Sequence, residues 1–175
     1  MNDVVVIGGG LYGTSTAYHL LKQEPGLKIC IIEPDPTYEH AASARSNAGV
    51  RVLFSQAESI YMSQYGHQFY ADFPEAMAID GELAALDLYR RGYMLMATDP
   101  AQVTDMEANL EVQLAAGCNV DVHDAQSLSG VFPSLNTQDI LMAVRTPDDM
   151  WIDPNTAVTG LMRKVRALGA KLVRH

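Results

Sequence analysis

Cysteine and positive charge are both scarce in this chain, and each scarcity excludes something. Cys30 and Cys118 are the only two cysteines. They are distant in sequence and share no motif, so neither a disulfide framework nor a thiolate metal site is expected. They read as reduced, structural thiols of a cytoplasmic protein. His19, His40, His67 and His123 are scattered, without metal-ligand spacing, and each reads as a surface or helix-face histidine. No metal is expected. Lysine and arginine total 12 against 21 acidic residues, a net charge of -9. That argues against nucleic acid or an anionic membrane as the main partner, since both select a basic surface. No apolar run approaches the roughly 20 residues that cross a bilayer. The first apolar run, Val4 to Ile7, has no basic stretch before it and leads straight into glycines, so it reads as a strand and not as a signal peptide.

What is present is periodic. Asp3 to Ile7 is a β-branched run, continuous rather than alternating, which suits a strand buried on both faces of a parallel sheet. Leu11 to Gln23 carries a helical face through Leu11, Ala17, Leu20 and Leu21, and Pro25-Gly26 stops it. "LKICIIE" is a second buried strand. These make one βαβ unit with a right-handed crossover. A loop rich in Pro, Ala, Ser and Asn follows, with room for a helical turn. Gln56 to Phe73 reads as a helix closed by Pro74. "LDLYRRGYMLMA" reads as two strands around a tight, exposed turn. Asp99-Pro100 opens a helix that Gly117 ends. A short strand at Val120 to Val122, a helical turn after Asp124 and a strand at Ile140 to Val144 come next. A helix from about Pro154 to Leu168 stops at Gly169, and Lys171 to Val173 begins a strand. The pattern is an α/β dinucleotide fold, a Rossmann-like βαβ unit interrupted by a smaller α+β lobe.

Gly8-Gly9-Gly10-Leu11-Tyr12-Gly13 fits G-x-G-x-x-G in its full context, with a strand before it and a helix after it. Gly8 allows the tight turn, Gly10 lets backbone approach a pyrophosphate, and Gly13 lets helix and strand pack closely. The helix N-terminus then offers free N–H groups and its dipole to the phosphates. Glu33 ends the second strand at the distance expected of a ribose-binding acid, with Pro34 after it. A carboxylate there repels a 2′-phosphate, which disfavours NADP. The fingerprint alone does not separate FAD from NAD.

The later segments carry a resemblance. "ARSNAGVRVLFS", "RRGYMLMA" and "WIDP", in this order behind the fingerprint, resemble the FAD-dependent amine and amino-acid oxidoreductases of the D-amino-acid oxidase, sarcosine oxidase and dimethylglycine dehydrogenase type. The resemblance covers nearly the whole chain. It implies FAD as cofactor and oxidation of the C–N bond of a small amine or amino acid (sarcosine, proline or a D-amino acid). It implies that Gly8, Gly10 and Gly13 hold the pyrophosphate and Glu33 the ribose. Ser43, Ser46, Asn47, Ala48 and Gly49 would line the path toward the flavin ring. Arg51 matches the family's flavin-proximal arginine, a fixed charge that offsets negative charge on the flavin.

Two departures qualify the resemblance. Sarcosine oxidases carry a second arginine, for the substrate carboxylate, where this chain has Phe54. Dimethylglycine dehydrogenases carry a flavin-linking histidine in the Ser/Asn stretch, and "RSNAG" has none, so FAD is expected to be non-covalent. Family members are roughly twice this long. The expected organisation is therefore a first part of the FAD-binding domain at 1–83, part of a substrate domain at 84–150, and an incomplete return to the FAD-binding domain at 151–175. A truncated chain of this kind is expected to self-associate or to pair with a missing C-terminal portion, and alone to be inactive. The competing readings are a non-catalytic FAD-fold binding or assembly protein, and an NAD-binding domain.

Overall fold

The computed structural model describes residues 1–35 and 37–174; Pro36, in the expected loop, and His175 lie outside them. In chain order the elements are β1 (Val4–Ile7), α1 (Leu11–Gln23), β2 (Ile29–Glu33), β3 (Gly49–Val50), α2 (Ala57–Ala71), α3 (Phe73–Ala76), β4 (Leu88–Arg90) and β5 (Tyr93–Ala97). They continue with α4 (Pro100–Ala115), β6 (Asp121–His123), α5 (Ala125–Val131), β7 (Met142–Thr146), β8 (Met150–Ile152), α6 (Pro154–Ala167) and β9 (Lys171–Arg174). Two compact units emerge. The first takes Met1–Ala48, Ala71–Leu88 and the segment from Ile152 on; the second takes Gly49–Tyr70 and Tyr89–Trp151.

The first unit is the expected α/β layer. Its sheet is parallel, ordered β1-β2-β9, with Val6 beside Ile31 and Ile31 beside Leu172. Helices α1 and α6 pack on each other, and α1 also packs on β1 and β2. Asp153 starts α6 by accepting the N–H groups of Asn155 and Thr156, and Pro154 sits in the first turn, where a missing N–H is harmless. Gly160 is obligatory for packing: a Cβ there would lie 2.7 Å from the buried Phe73 ring. Strand β1 departs from expectation. It alternates, with Val5 53% and Ile7 87% exposed, because no described element covers that face.

The second unit is built on an antiparallel sheet ordered β5-β7-β6. Successive residues of β7 feed two cores. Met142 and Val144 join Leu53 and Ala97 under Val103, Met106 and Leu110 of α4, while Ala143 joins Leu128 and Ile140. Asp99 caps α4 by accepting the Gln102 N–H, and Gly117, at φ 78°, ends it. Helix α5 carries a capping box between Asp124 and Ser127.

Three local expectations are corrected. Strands β4 and β5 do not form a hairpin, since they belong to different sheets. The chain turns at Gly92 (φ 76°), whose N–H donates to the Asp149 carbonyl, and a Cβ there would approach Thr146 O to 2.9 Å. Pro74 opens the short α3 instead of closing α2, which ends at Ala71. Residues 49–70 cluster with the second unit and not with the rest of 1–83, because Gly49 and Val50 pair with Trp151 and Met150, and Val52 and Ile60 pack on Cys118.

Candidate cofactor and active site

In the first unit the chain leaves β1 through Gly8, at φ 96°, and enters α1 at once. The Gly8 N–H is fixed to Ile32 O at 2.9 Å. Gly13 then passes so close to the turn that a Cβ on it would lie 1.9 Å from Gly8 O. No side chain but hydrogen fits there. Gly10 is the opposite case. It caps α1 with no side-chain hydrogen bond, and a Cβ on it meets nothing within 4 Å. The first-turn N–H groups of α1 have no partner within the helix, so the space over Gly10 faces an unsatisfied, positively polarised helix end. Thr14 steadies this end by donating its hydroxyl to Gly10 O at 2.8 Å. Leu11 is half-buried and Tyr12 exposed.

Glu33 is 8% exposed and engaged on both oxygens: the Gly9 N–H donates to Oε2 at 2.6 Å and the Asp35 N–H to Oε1 at 2.8 Å. These bonds fix the carboxylate beside the glycine turn and leave each oxygen a further lone pair. Gly9, a position the sequence reading did not explain, is small for this reason. A Cβ on it would lie 3.1 Å from Glu33 Cβ and 3.0 Å from Met162 Cε. Burial and the Glu33 charge hold the neighbouring Tyr38 phenol above its usual range, partly offset by Arg174. Pro34 is exposed beyond it. An open cradle, free N–H groups and a prepositioned carboxylate fit the adenosine-pyrophosphate half of a dinucleotide.

The Ser/Asn segment is held by its own turn. Ser46 donates its N–H and hydroxyl to Ser43 O, and its oxygen accepts from the Ala48 N–H at 3.0 Å. Ala48 sits at φ 53°, a left-handed conformation uncommon for alanine. Ser46 and Asn47 are exposed and Ser43 is half-buried.

In the second unit, Gly49 lies against the aromatic pair Tyr93 and Trp151, whose rings stack 6.1 Å apart. The Arg51 guanidinium lies over both Tyr93, at 5.1 Å, and Phe54, at 5.2 Å. Among the described residues Arg51 makes no ion pair. It borders a cavity of about 220 Å³ with Leu53, Phe54, Leu95, Met106 and Gln113. Cation–π contact holds such a group without neutralising it. The backbone around Arg51 is gripped by Ser63 and Asp149, which the sequence does not single out, and by His67, expected only as a surface or helix-face histidine. Ser63 and His67 are four residues apart on one helix, a spacing that was visible. No local pattern marked Asp149 as buried.

The sequence matches the family described as DAO, FAD dependent oxidoreductase, over residues 3–175. The chain belongs to the FAD-dependent oxidoreductase family. It is 33% identical to FAD-dependent oxidoreductase domain-containing protein 1 of Xenopus laevis, covering 95% of this chain and 34% of that protein. It is 25% identical to mitochondrial dimethylglycine dehydrogenase of Homo sapiens, covering 97% of this chain and 19% of that one. Its fold matches L-proline dehydrogenase from P. horikoshii with a TM-score of 0.84 at 23% identity, covering 99% of this chain and 44% of that structure. The chain thus spans about a third of the length of the first of these relatives. The family is FAD-dependent, in agreement with the fit of the glycine cradle. Among the described residues no helix is long and apolar enough to cross a membrane, and no group of three or more His, Cys, Asp or Glu side chains is placed to hold a metal.

Proposed function

We propose that this chain is the FAD-binding portion of an oxidoreductase that oxidises the C–N bond of an amine or amino acid. The observation that carries the reading is the cradle itself: open space over Gly10, the bare N-terminus of α1, and Glu33 tied to Gly9. Gly8 to Gly13 take the pyrophosphate through backbone N–H groups, and Glu33 accepts from the adenosine ribose. Ser43 to Gly49 supply small side chains along the path to the ring. Bound FAD supplies the two-electron acceptor for a hydride leaving the substrate carbon, while the nitrogen lone pair forms the C=N bond. Arg51, held between two aromatic rings and without an ion pair among the described residues, is the fixed positive charge that this reading assigns to the flavin. With no histidine in "RSNAG", the cofactor is held non-covalently. The relative named for dimethylglycine supports a small amine or amino-acid substrate. Two free, buried cysteines fit a reducing compartment such as the cytoplasm.

Titration of the purified chain with FAD and with NAD, read by flavin fluorescence and by calorimetry, tests the cofactor. FAD should bind more tightly than NAD, and Gly10→Ala should weaken both. Tighter NAD binding, or flavin affinity unmoved by Gly10→Ala, overturns the reading. Adding sarcosine, proline and D-amino acids under anaerobic conditions tests the chemistry. We propose that the 175 residues need further polypeptide for turnover, so the chain alone should not bleach the flavin.

A further inference from the structure

Residues 50–52 carry Arg51 out of β3, and side chains bind their backbone at three points on two successive peptide groups. His67 Nε2 lies 3.0 Å from Val50 O. Ser63 donates its hydroxyl to Arg51 O. The Asp149 carboxylate accepts the Val52 N–H, at 3.1 Å to Oδ1. Strand pairing explains why side chains are needed here. The β3–β8 ladder pairs Gly49 with Trp151 and Val50 with Met150, and there it ends. The Asp149 side chain takes over where the next backbone partner would stand.

Asp149 is 1% exposed and is itself fully engaged. Besides Val52 it accepts from the Thr146 hydroxyl, and His67 Nε2 lies 3.3 Å from its Oδ1. His67 Nε2 faces two oxygens that only accept, Val50 O and Asp149 Oδ1, so it carries a proton and bridges them. A buried carboxylate is costly, and an apolar residue of similar size is often no worse for stability. The arrangement is therefore better explained by the geometry it fixes than by the stability it adds. What it fixes is the backbone on both sides of Arg51, whose guanidinium is fixed in turn between Phe54 and Tyr93.

We infer that Asp149, His67 and Ser63 are positioning residues for Arg51, holding an unneutralised cation in one place before any ligand arrives. Their relevance to catalysis rests on the reading of Arg51 given above; the positioning itself does not. Two measurements separate the two. The first needs no cofactor: the Nε–Hε resonance of Arg51, assigned with Arg51→Lys, should be displaced upfield by the two rings. Asp149→Asn keeps the volume but has one acceptor oxygen for the donors of Val52, His67 and Thr146, which the carboxylate meets with two. Ser63→Ala removes one bond and leaves the core untouched. Both variants, shown to be folded by far-UV circular dichroism, should lose the displacement wholly or in part. His67→Ala should lose it too, and His67→Gln, which offers an N–H again, should recover it. A displacement unchanged in Asp149→Asn and Ser63→Ala overturns the inference, as does equal loss in His67→Ala and His67→Gln. The second measurement is the midpoint potential of bound FAD in Arg51→Gln and Asp149→Asn. Both should shift in the negative direction. If the Arg51 resonance moves in Asp149→Asn while Arg51→Gln leaves the potential where it was, positioning stands and the role of Arg51 at the flavin fails.

Discussion

Gly10 and Gly13 belong to one fingerprint, yet alanine at each should have opposite consequences. At Gly13 the added methyl would lie 1.9 Å from Gly8 O, where ordinary contact begins at 3.4 Å. Both partners are backbone, so the methyl has no flexible neighbour to displace. Relief requires α1 to move off β1, against the packing of α1 on β1, β2 and α6. Overpacking typically costs 1–3 kcal/mol, and this case belongs at about 3 kcal/mol or above. For a chain of this size that lowers Tm by roughly 6–12 °C. At Gly10 the methyl meets nothing within 4 Å, and the backbone at φ -69° and ψ -171° is open to any residue. Losing glycine at the cap is slightly unfavourable and is offset by about 0.4–1 kcal/mol of unfolded-state entropy. Stability should therefore move by less than about 0.5 kcal/mol, near 1–2 °C in Tm. Binding should show the reverse order of clarity. Gly10→Ala, fully folded, fills the phosphate cradle and should weaken FAD by more than about tenfold, that is 1.4 kcal/mol or more. Thermal melts followed by circular dichroism and FAD calorimetry on both variants decide the matter. A Gly13→Ala protein that melts with the wild type, or a Gly10→Ala protein as destabilised as Gly13→Ala, refutes the assignment of one glycine to packing and the other to the ligand.

Glu33→Gln should hurt both stability and binding. Its amide must face either the Gly9 or the Asp35 N–H, a lost charge-assisted bond worth about 1.5–3 kcal/mol, seen as a lower urea midpoint and weaker ADP binding. Burial first, and then the Asp149 charge, raise the Cys118 thiol above its ordinary value of 9.0, so the folded state holds that proton more tightly than the unfolded state does. The resulting stability is complete below pH 9 and declines as pH rises beyond it; urea midpoints between pH 8 and 10.5 should fall less steeply in Cys118→Ala, and equal slopes would refute the shift. Val5 and Ile7 leave an apolar edge strand open on one face, so Val5→Thr with Ile7→Thr should raise the monomer fraction and reduce dye binding in light scattering and fluorescence assays.

The fold of the first unit was legible because its signals are local. A β-branched run, a glycine turn, a helical face and a glycine stop each fix a few neighbouring dihedrals, and β1, α1, β2, α6 and β9 all stand where those signals put them. Pairing was less legible. "YRRGYM" has the composition of a hairpin, but its two strands find partners far away in sequence: β5 pairs with β7, and the Gly92 N–H finds Asp149 O. A turn signal reports that the chain bends. Whether the arms then meet depends on what else competes for their edges, and no spacing in the sequence states that.

The site divides along the same line. Glycines carry their reason in their own backbone, so Gly8, Gly10 and Gly13 were readable, while Gly9, whose smallness is owed to Glu33 and Met162, was not. Arg51 was singled out by the family resemblance, which says nothing of what holds it. The structure shows a guanidinium between two rings and a carboxylate, Asp149, spent on the backbone next to it. Asp149 and Val52 are 97 residues apart, and His67 reaches both Val50 and Asp149 from α2. An acid in "TPDDMW" has the composition of a solvated turn, and only the converging donors of Val52, Thr146 and His67 make burial tolerable there. A charge that is buried and satisfied by distant partners leaves no periodicity in its own neighbourhood. That is why the residue that most constrains Arg51 is the one the local sequence marks least.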